Sequence, residues 1–304
     1  MGYKENKSFR LLSMYERLNK GELISKARLA REFNVTEKSV QRDIDDLRAY
    51  LVDVHFSEID AAIEYDKTEK GYRLVRNERE MLTNTEILAM CKILLESRAL
   101  RKDELDRIIS KLLGKLSPDD KCRVEEIIRD ELYNYVQPRH GKKLLEPIWE
   151  LSRAIQGSEI IEFSYIRQDG TEKARCVKPV AIMFSEFYFY LVAYLADGSK
   201  EYPTVFRIDR MKNVKRTKEH FSIPYKERFN DGEFRKRVQF MYSGELNRVT
   251  FEYSGQNVES VLDRLPTAEI LSSDNGIYKI RAEVYGEGIY MWLRSQGDNV
   301  KVVE

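Results

Sequence analysis

At 304 residues the chain exceeds one ordinary core and is expected to form two to four domains of about 100–150 residues each. Its 42% hydrophobic and 34% charged residues are those of a globular protein, and no apolar run approaches the roughly 20 residues that cross a bilayer. A formal net charge of +1 would argue against a nucleic-acid partner, but the ten Lys/Arg against five Glu between Met1 and Arg42 make one segment basic.

Phe9, Leu11, Leu12, Tyr15 and Leu18 fall at helical spacing, and Gly21 supplies a stop. Residues 25–33 fit a second short helix with Ser25 as its cap and Leu29, Ala30 and Phe33 inside. Asn34-Val35-Thr36 reads as a turn, with Thr36 capping a third helix over 37–51 whose buried stripe is Val40, Ile44, Leu47 and Leu51. Two helices across a tight turn, the second opening on polar residues, is the helix-turn-helix arrangement. The outward Glu37, Lys38, Ser39, Gln41 and Arg42 suit a major groove: Gln pairs with adenine, Arg with guanine, Lys or Ser with phosphate. Ser25, Arg28 and Thr36 join them as expected DNA contacts.

Residues 62–66 and 71–75 read as the two strands of a wing, and the tip between them carries Lys67 and Lys70 for a phosphate backbone. From Asp43 to Asp66 the charge is acidic, with only Arg48 opposing eight carboxylates, so the basic segment ends at Arg42. A three-helix bundle with a solvated basic face is the plainer alternative. The stretch Leu29-Ala30-Arg31-Glu32-Phe33-Asn34-Val35-Thr36-Glu37-Lys38-Ser39-Val40-Gln41-Arg42-Asp43-Ile44-Asp45-Asp46-Leu47 resembles bacterial helix-turn-helix regulators directly.

Residues 83–136 are helical in pattern. Thr83 and Glu86 make a capping box ahead of Ile87, Leu88, Met90 and Leu94. Leu105, Ile108, Ile109, Leu112 and Leu113 form a second stripe that ends at Gly114. Ser117-Pro118 opens a third helix with Val124, Ile127, Ile128 and Leu132 inside. Residues 138–143 read as a linker.

After a helix over 145–155 the character is β: strands at 160–165, 175–179, 181–184, 187–194 and 204–208, with turns at Asp169-Gly170 and Asp197-Gly198. Five short strands predict a small barrel. Tyr188, Tyr190, Val192 and Tyr194 alternate with Phe189, Leu191 and Ala193, so both faces of that strand are covered.

This segment resembles the WYL domain of bacterial regulators: Phe189-Tyr190-Leu191 matches the Trp-Tyr-Leu triplet, Pro179 precedes it, and Phe206-Arg207-Ile208-Asp209-Arg210 matches the basic strand. Phe189 departs from the usual Trp, a packing variation. The resemblance implies an Sm/SH3-like barrel that senses a nucleotide or single-stranded nucleic acid. Arg207 and Arg210 are chemically suited to clamp phosphate, Tyr165 and Tyr190 to stack on a base, and Ser164 to add a hydrogen bond. The competing role for Arg207 and Arg210 is pairing with Asp209 or another acid, and for Tyr190 a place in the core.

A connecting helix at 225–238 leads to strand 248–253, helix 257–265, strands 268–272 and 278–284, helix 288–294 and strand 299–303. That β-α-β-β-α-β order is the ferredoxin-like split arrangement. It resembles the C-terminal extension that accompanies WYL domains, which implies dimer contact, with Arg264, Arg281 and Arg294 as candidate ligand contacts.

The chain is therefore expected to be α+β and multidomain: a winged helix-turn-helix (1–80), a helical linker or dimerisation region (81–143), the WYL domain (144–222) and a dimerising C-terminal domain (223–304). The expected protein is cytoplasmic, needs no cofactor or metal, and binds operator duplex as a homodimer, with repression the favoured direction for want of a recognisable polymerase-contacting segment. His55, His140 and His220 lie far apart, the unpaired Cys91, Cys122 and Cys176 frame neither a metal site nor disulfides, and no Gly-rich phosphate loop is present, which argues against an enzyme. The other alternative is a single-stranded nucleic-acid-binding module without promoter regulation.

Overall fold

In the computed structural model, residues 6–54, 61–76, 82–222 and 228–303 are described. Lys4, His55, Glu58 and Asp60 lie outside them, as does the start of the connecting helix read at 225–238. The chain divides into two compact units, Met1–Glu96 with Leu105–Tyr135, and Ser97–Glu104 with Val136–Glu304.

In the first unit, α1 (Lys7–Asn19), α2 (Lys26–Glu32) and α3 (Glu37–Val54) precede the hairpin β1 (Ala61–Asp66) and β2 (Gly71–Arg76). Val40, Ile44, Leu47 and Leu51 of α3 are buried with Leu29, Phe33, Leu18 and Ile63 in one core. The face of α1 differs from the expected one in part: Leu18 is buried and Leu11 and Tyr15 pack against the core. Phe9 and Leu12 are 45% and 67% exposed, and the inward row is Arg10, Met14 and Leu18. The cause is an ion pair: Arg10 Nε lies 2.5 Å from Asp43 Oδ2 and Nη2 3.2 Å from Oδ1, with both side chains buried. That fork turns the helix so that its i, i+4 row meets α3.

Asn34 takes the left-handed conformation (φ 52°) at the turn, and the Thr36 hydroxyl accepts from Ser39 N to cap α3. Ser25 occupies the N-cap position of α2, but its side chain makes no capping bond. The wing closes through Asp66, which accepts from Thr68 N and Glu69 N. Gly71 is required for packing, because a Cβ there would stand 2.5 Å from the Leu23 side chain. Ile24 and Tyr72 exchange backbone hydrogen bonds, adding the residue between α1 and α2 as a third edge to the hairpin.

Also in this unit, α4 (Asn84–Ser97) opens on the expected capping box, with Thr83 N donating to Glu86 Oε2 and Glu86 N to Thr83 Oγ1. The buried row of α4 is Ile87, Cys91 and Leu95. Helices α5 (Lys102–Leu113) and α6 (Pro118–Tyr133) bury Leu105, Ile109, Leu113, Val124 and Ile128, while Ile127 is exposed.

The second unit holds α7 (Leu145–Gln156) and a five-stranded antiparallel sheet of β3 (Glu159–Ile166), β4 (Glu172–Ser185), β5 (Tyr188–Leu195), β6 (Thr204–Arg207) and β7 (Met211–His220), in the order β6-β5-β4-β3-β7. Two strands read separately at 175–179 and 181–184 are one strand with a register shift between Pro179 and Ala181. A bulge accommodates the proline, which has no N–H for the ladder. The fifth strand, β7, was not foreseen. Its Met-Lys-Asn-Val-Lys-Arg-Thr-Lys-Glu-His is almost wholly exposed, as suits a charged edge, so it carries no apolar alternation. The basic strand read to Ile208 stops at Arg207 and turns through a 3-10 segment, Ile208–Arg210. Strands β6 and β7 are not paired with each other, so the sheet is open.

Leu191 and Ala193 face a core with Leu151, Ile161, Phe163, Val177 and Phe206, while Val192 and Tyr190 face Ala181, Met183, Phe234 and Met241, so both faces of β5 are covered. Residues 138–143 are fastened down. Lys142 Nζ donates to the Asp209 carbonyl at 2.5 Å, and Leu144 N and Leu145 N donate to the buried Glu104 carboxylate. Leu144 has no capping side chain of its own, so Glu104 serves α7 from a distant position. Glu104→Ala is expected to strand these N–H groups and cost about 1–3 kcal/mol. Urea unfolding followed at Trp149, which lies on α7, measures it.

α8 (Asp231–Arg237) follows, then β8 (Leu246–Tyr253), α9 (Val258–Arg264), β9 (Glu269–Asp274), β10 (Ile277–Tyr285), α10 (Gly288–Ser295) and β11 (Val300–Val303). The four strands form an antiparallel sheet in the order β11-β8-β10-β9, over a core of Phe251, Ile280, Ala282, Ile289 and Trp292.

Candidate functional site

Two groups of side chains stand out, one in each unit. In the first, Lys38 and Arg42 are exposed and one helical turn apart on α3, so they share a face. Neither makes a hydrogen bond or ion pair among the described residues, and the same holds for Arg28 on α2 and Lys67 and Lys70 on the wing tip. The other described cations of the basic segment are occupied. Arg10 is in the core, Arg17 pairs with Glu32, Lys20 with Glu16, Lys7 with Asp46, and Arg31 reaches the Ala27 carbonyl. The free positive charge is thus narrower than the sequence count implies.

Gln41 is engaged within the protein. Its Oε1 accepts from Tyr72 Oη at 2.9 Å and Lys26 Nζ at 3.1 Å, and its Nε2 donates to Asp45 at 3.1 Å. Ser39 and Thr36 hydroxyls are 3.0 Å apart and serve the helix start. Tyr72 is the junction the sequence reading missed. Besides Ile24 and Gln41, its ring has Lys26 and Arg48 within 6 Å, and Arg48 donates twice to the Ile63 carbonyl of β1. The wing and α3 are therefore joined by hydrogen bonds as well as by the core.

In the second unit Arg207 is the centre. It lies opposite Tyr190 on the neighbouring strand, so the two share a face. Its guanidinium forks onto Asp209 at 3.0 and 2.8 Å, and its Cζ sits 3.3 Å from the Tyr188 ring centroid. Burial works most strongly against the Arg207 charge, but the hydrogen bonds and the negative charge of Asp209, with the neighbouring Tyr188 and Tyr190, together outweigh it and hold the group above its ordinary value. The acid-paired alternative is therefore the observed one, with Arg207 19% and Asp209 5% exposed. Tyr165 Oη accepts from Arg207 N at 3.2 Å while its ring packs on Phe206, so Tyr165 supports the strand. Burial raises the Tyr190 phenol and lowers the His140 imidazole, which leaves both neutral near pH 7.

Ser164 is not brought to this group. It lies on β3, separated from β6 by two strands, and hydrogen-bonds Glu172. Arg210 is half-buried at the end of the 3-10 turn and has no partner among the described residues. Tyr188, His140 and Lys142 are additions. The His140 and Tyr188 rings lie 6.3 Å apart, and Lys142 holds the 3-10 turn. The alternation of Tyr188 with Tyr190 signalled the first; His140 and Lys142, 67 residues or more from Asp209, had no local signal. Of the C-terminal arginines, Arg264 pairs with Glu186, Arg281 with Glu269, and Arg294 is exposed. No group of His, Cys, Asp and Glu among the described residues is arranged to hold a metal ion.

The HTH domain family matches residues 10–73, and the WYL domain family matches residues 148–216. The chain carries both domains. Comparison with curated proteins gives no match. Among solved structures, the chain is similar to the proteasome accessory factor B/C (PafBC) of Arthrobacter aurescens, with 20% identity over 100% of this chain and 44% of that one and a TM-score of 0.31. It therefore spans under half of that protein's length. A CRISPR Cas-related protein is 14% identical over 74% of this chain and 70% of that one, with a TM-score of 0.36. An HTH domain followed by a WYL domain supports a DNA-binding transcriptional regulator.

Proposed function

We propose that the protein is a ligand-responsive transcriptional regulator that binds operator duplex as a homodimer and senses a nucleotide or short single-stranded nucleic acid through its WYL sheet. The observation that carries the DNA half is the set of unpaired cations on α2, α3 and the wing tip, held on elements that Tyr72 ties together. Lys38 and Arg42 face a groove from one side of α3, and Lys67 and Lys70 ride on phosphates.

The ligand half rests on Arg207. Asp209 takes one edge of its guanidinium and Tyr188 one face, which leaves a fixed edge for a phosphate beside the Tyr188 and Tyr190 rings. We read the five-stranded sheet as an Sm/SH3-like fold, supported by its strand order and by the 3-10 turn before its last strand. The C-terminal β-α-β-β-α-β order supports a ferredoxin-like domain, and our boundaries remain 1–80, 81–143, 144–222 and 223–304. Dimerisation through the last of these is supported by β9, an edge strand exposed along its whole length with Ile270 and Leu271 uncovered.

Selection from a random duplex library with the full chain tests the DNA half. The expected product is a two-fold symmetric site with half-sites about 34 Å apart or a multiple of that. Arg42→Ala is expected to weaken the selected duplex by about 1–3 kcal/mol and relax one base position, while Lys38→Ala weakens all duplexes alike and flattens the salt dependence. No enriched duplex, together with tight single-strand binding, would replace the regulator by a single-strand-binding module. Repression is tested by placing the selected duplex ahead of a reporter gene.

A further inference from the structure

The sheet of the second unit has a second polar hollow, away from Arg207. Lys173 and Arg175 on β4 lie opposite Tyr165 and Phe163, so they share the face that carries the buried Phe163 and Val177. Thr204 lies opposite Ala193 on that same apolar face. Where the core runs out, beside Leu195, a cavity of about 340 Å³ opens, and Lys173, Arg175, Asp197, Lys200 and Thr204 line it.

Two polar atoms buried at this hollow, Arg175 Nε and Thr204 Oγ1, have no hydrogen-bond partner. Buried donors are almost always satisfied, so an orphaned guanidinium N–H beside a cavity implies an acceptor that fills it. The obvious internal acceptor is engaged elsewhere. Asp197 accepts from Ser199 N at 3.0 Å, a bond that keeps its carboxyl below the usual range, and makes no ion pair with Arg175. Three cations thus face one carboxylate in the cavity lining.

We propose that this hollow binds a phosphate group, with Arg175 and Thr204 as its hydrogen-bond donors and Lys173 and Lys200 neutralising its charge. A guanidinium fork matches two phosphate oxygens, and the Thr204 hydroxyl supplies a third bond. The site is separate from the Arg207 group and does not rest on the reading of that group. Thr204 and Phe206 face the apolar core, whereas Val205 and Arg207 face the other side of the sheet. The phosphate is free inorganic phosphate or the phosphate of a nucleotide; both present the same oxygens.

Calorimetric titration of the full chain with inorganic phosphate, a 5′-phosphorylated dinucleotide and its unphosphorylated counterpart tests the site. Phosphate is expected to bind the native protein, and Arg175→Gln is expected to raise its Kd tenfold or more. Thr204→Val raises it several-fold, and Thr204→Ser restores it. Tighter binding of the phosphorylated dinucleotide than of phosphate identifies a nucleotide source, and equal binding identifies the free ion. Without phosphate, Arg175→Gln is expected to keep or raise the Tm, because it removes a positive charge that no carboxylate pairs. Equal phosphate affinity in native and R175Q protein, no binding at millimolar phosphate, or a lower phosphate-free Tm in R175Q would each overturn the proposal.

Discussion

Asp43→Ala is expected to destabilise the first unit by about 3–5 kcal/mol, a large share of the stability of an ordinary domain. Arg10 is 6% exposed and Asp43 1%, so removing the carboxylate leaves a guanidinium in the core with no counter-charge and two N–H groups without acceptors. Replacing both partners tells this apart from a favourable pair. The double variant Arg10→Met, Asp43→Leu keeps the volume, strands no charge and is expected to be near neutral or more stable. Both tryptophans, Trp149 and Trp292, lie in the second unit, so their fluorescence is blind to this loss. Hydrogen exchange at the amides of α1 and α3 reads it directly. A single-variant loss below about 1 kcal/mol, the range of an exposed pair, would mean that the side chains are not buried in solution.

Substitution of Arg207 is expected to have the largest effect on ligand binding, and the structure dictates which substitution reveals it. Arg207→Ala would remove the phosphate contact but also strand Asp209, so lost binding could be unfolding. Arg207→Lys keeps a positive charge beside Asp209 while removing the planar fork and the stack on Tyr188. It is expected to weaken a short single-stranded oligonucleotide by about 1.5–3 kcal/mol, roughly 10- to 150-fold, with a far smaller fall in Tm than Arg207→Ala. Calorimetry with the oligonucleotide, beside thermal unfolding of both variants, separates binding from stability. Undiminished affinity in Arg207→Lys would remove Arg207 from the ligand site.

The parts legible in the sequence are those whose cause is local. The α3 stripe, the capping box at Thr83 and Glu86, the wing turn and the β-α-β-β-α-β order follow from periodicity, caps and turn residues within a few positions of one another. What escaped depends on partners remote in the chain. Arg10 read as part of a basic surface because its partner lies 33 residues away. The hold on Gln41 has no local signal either, because the Tyr72 hydroxyl is 31 residues downstream. Strand β7 escaped for another reason: a charged edge strand buries too little to impose an apolar period. The ligand group was half legible. Arg207, Tyr190 and the facing of Tyr188 follow from strand alternation, whereas the separation of Ser164 from them follows from the strand order of the sheet.

Tyr72 reaches all three pieces that the proposal brings to a duplex: Lys26 at the start of α2, Gln41 on α3 and, through its own strand, the wing. The span from the Arg42 side of α3 to the lysines of the wing tip is thereby set within the protein before any DNA arrives. Such a part acts as a gauge. A duplex whose groove width fits the span accepts both sets of contacts, and one that does not must deform to be held. Selectivity then extends to base pairs that no side chain touches, and loosening the gauge with Tyr72→Phe would blur discrimination among duplexes more than it weakens binding to any one of them.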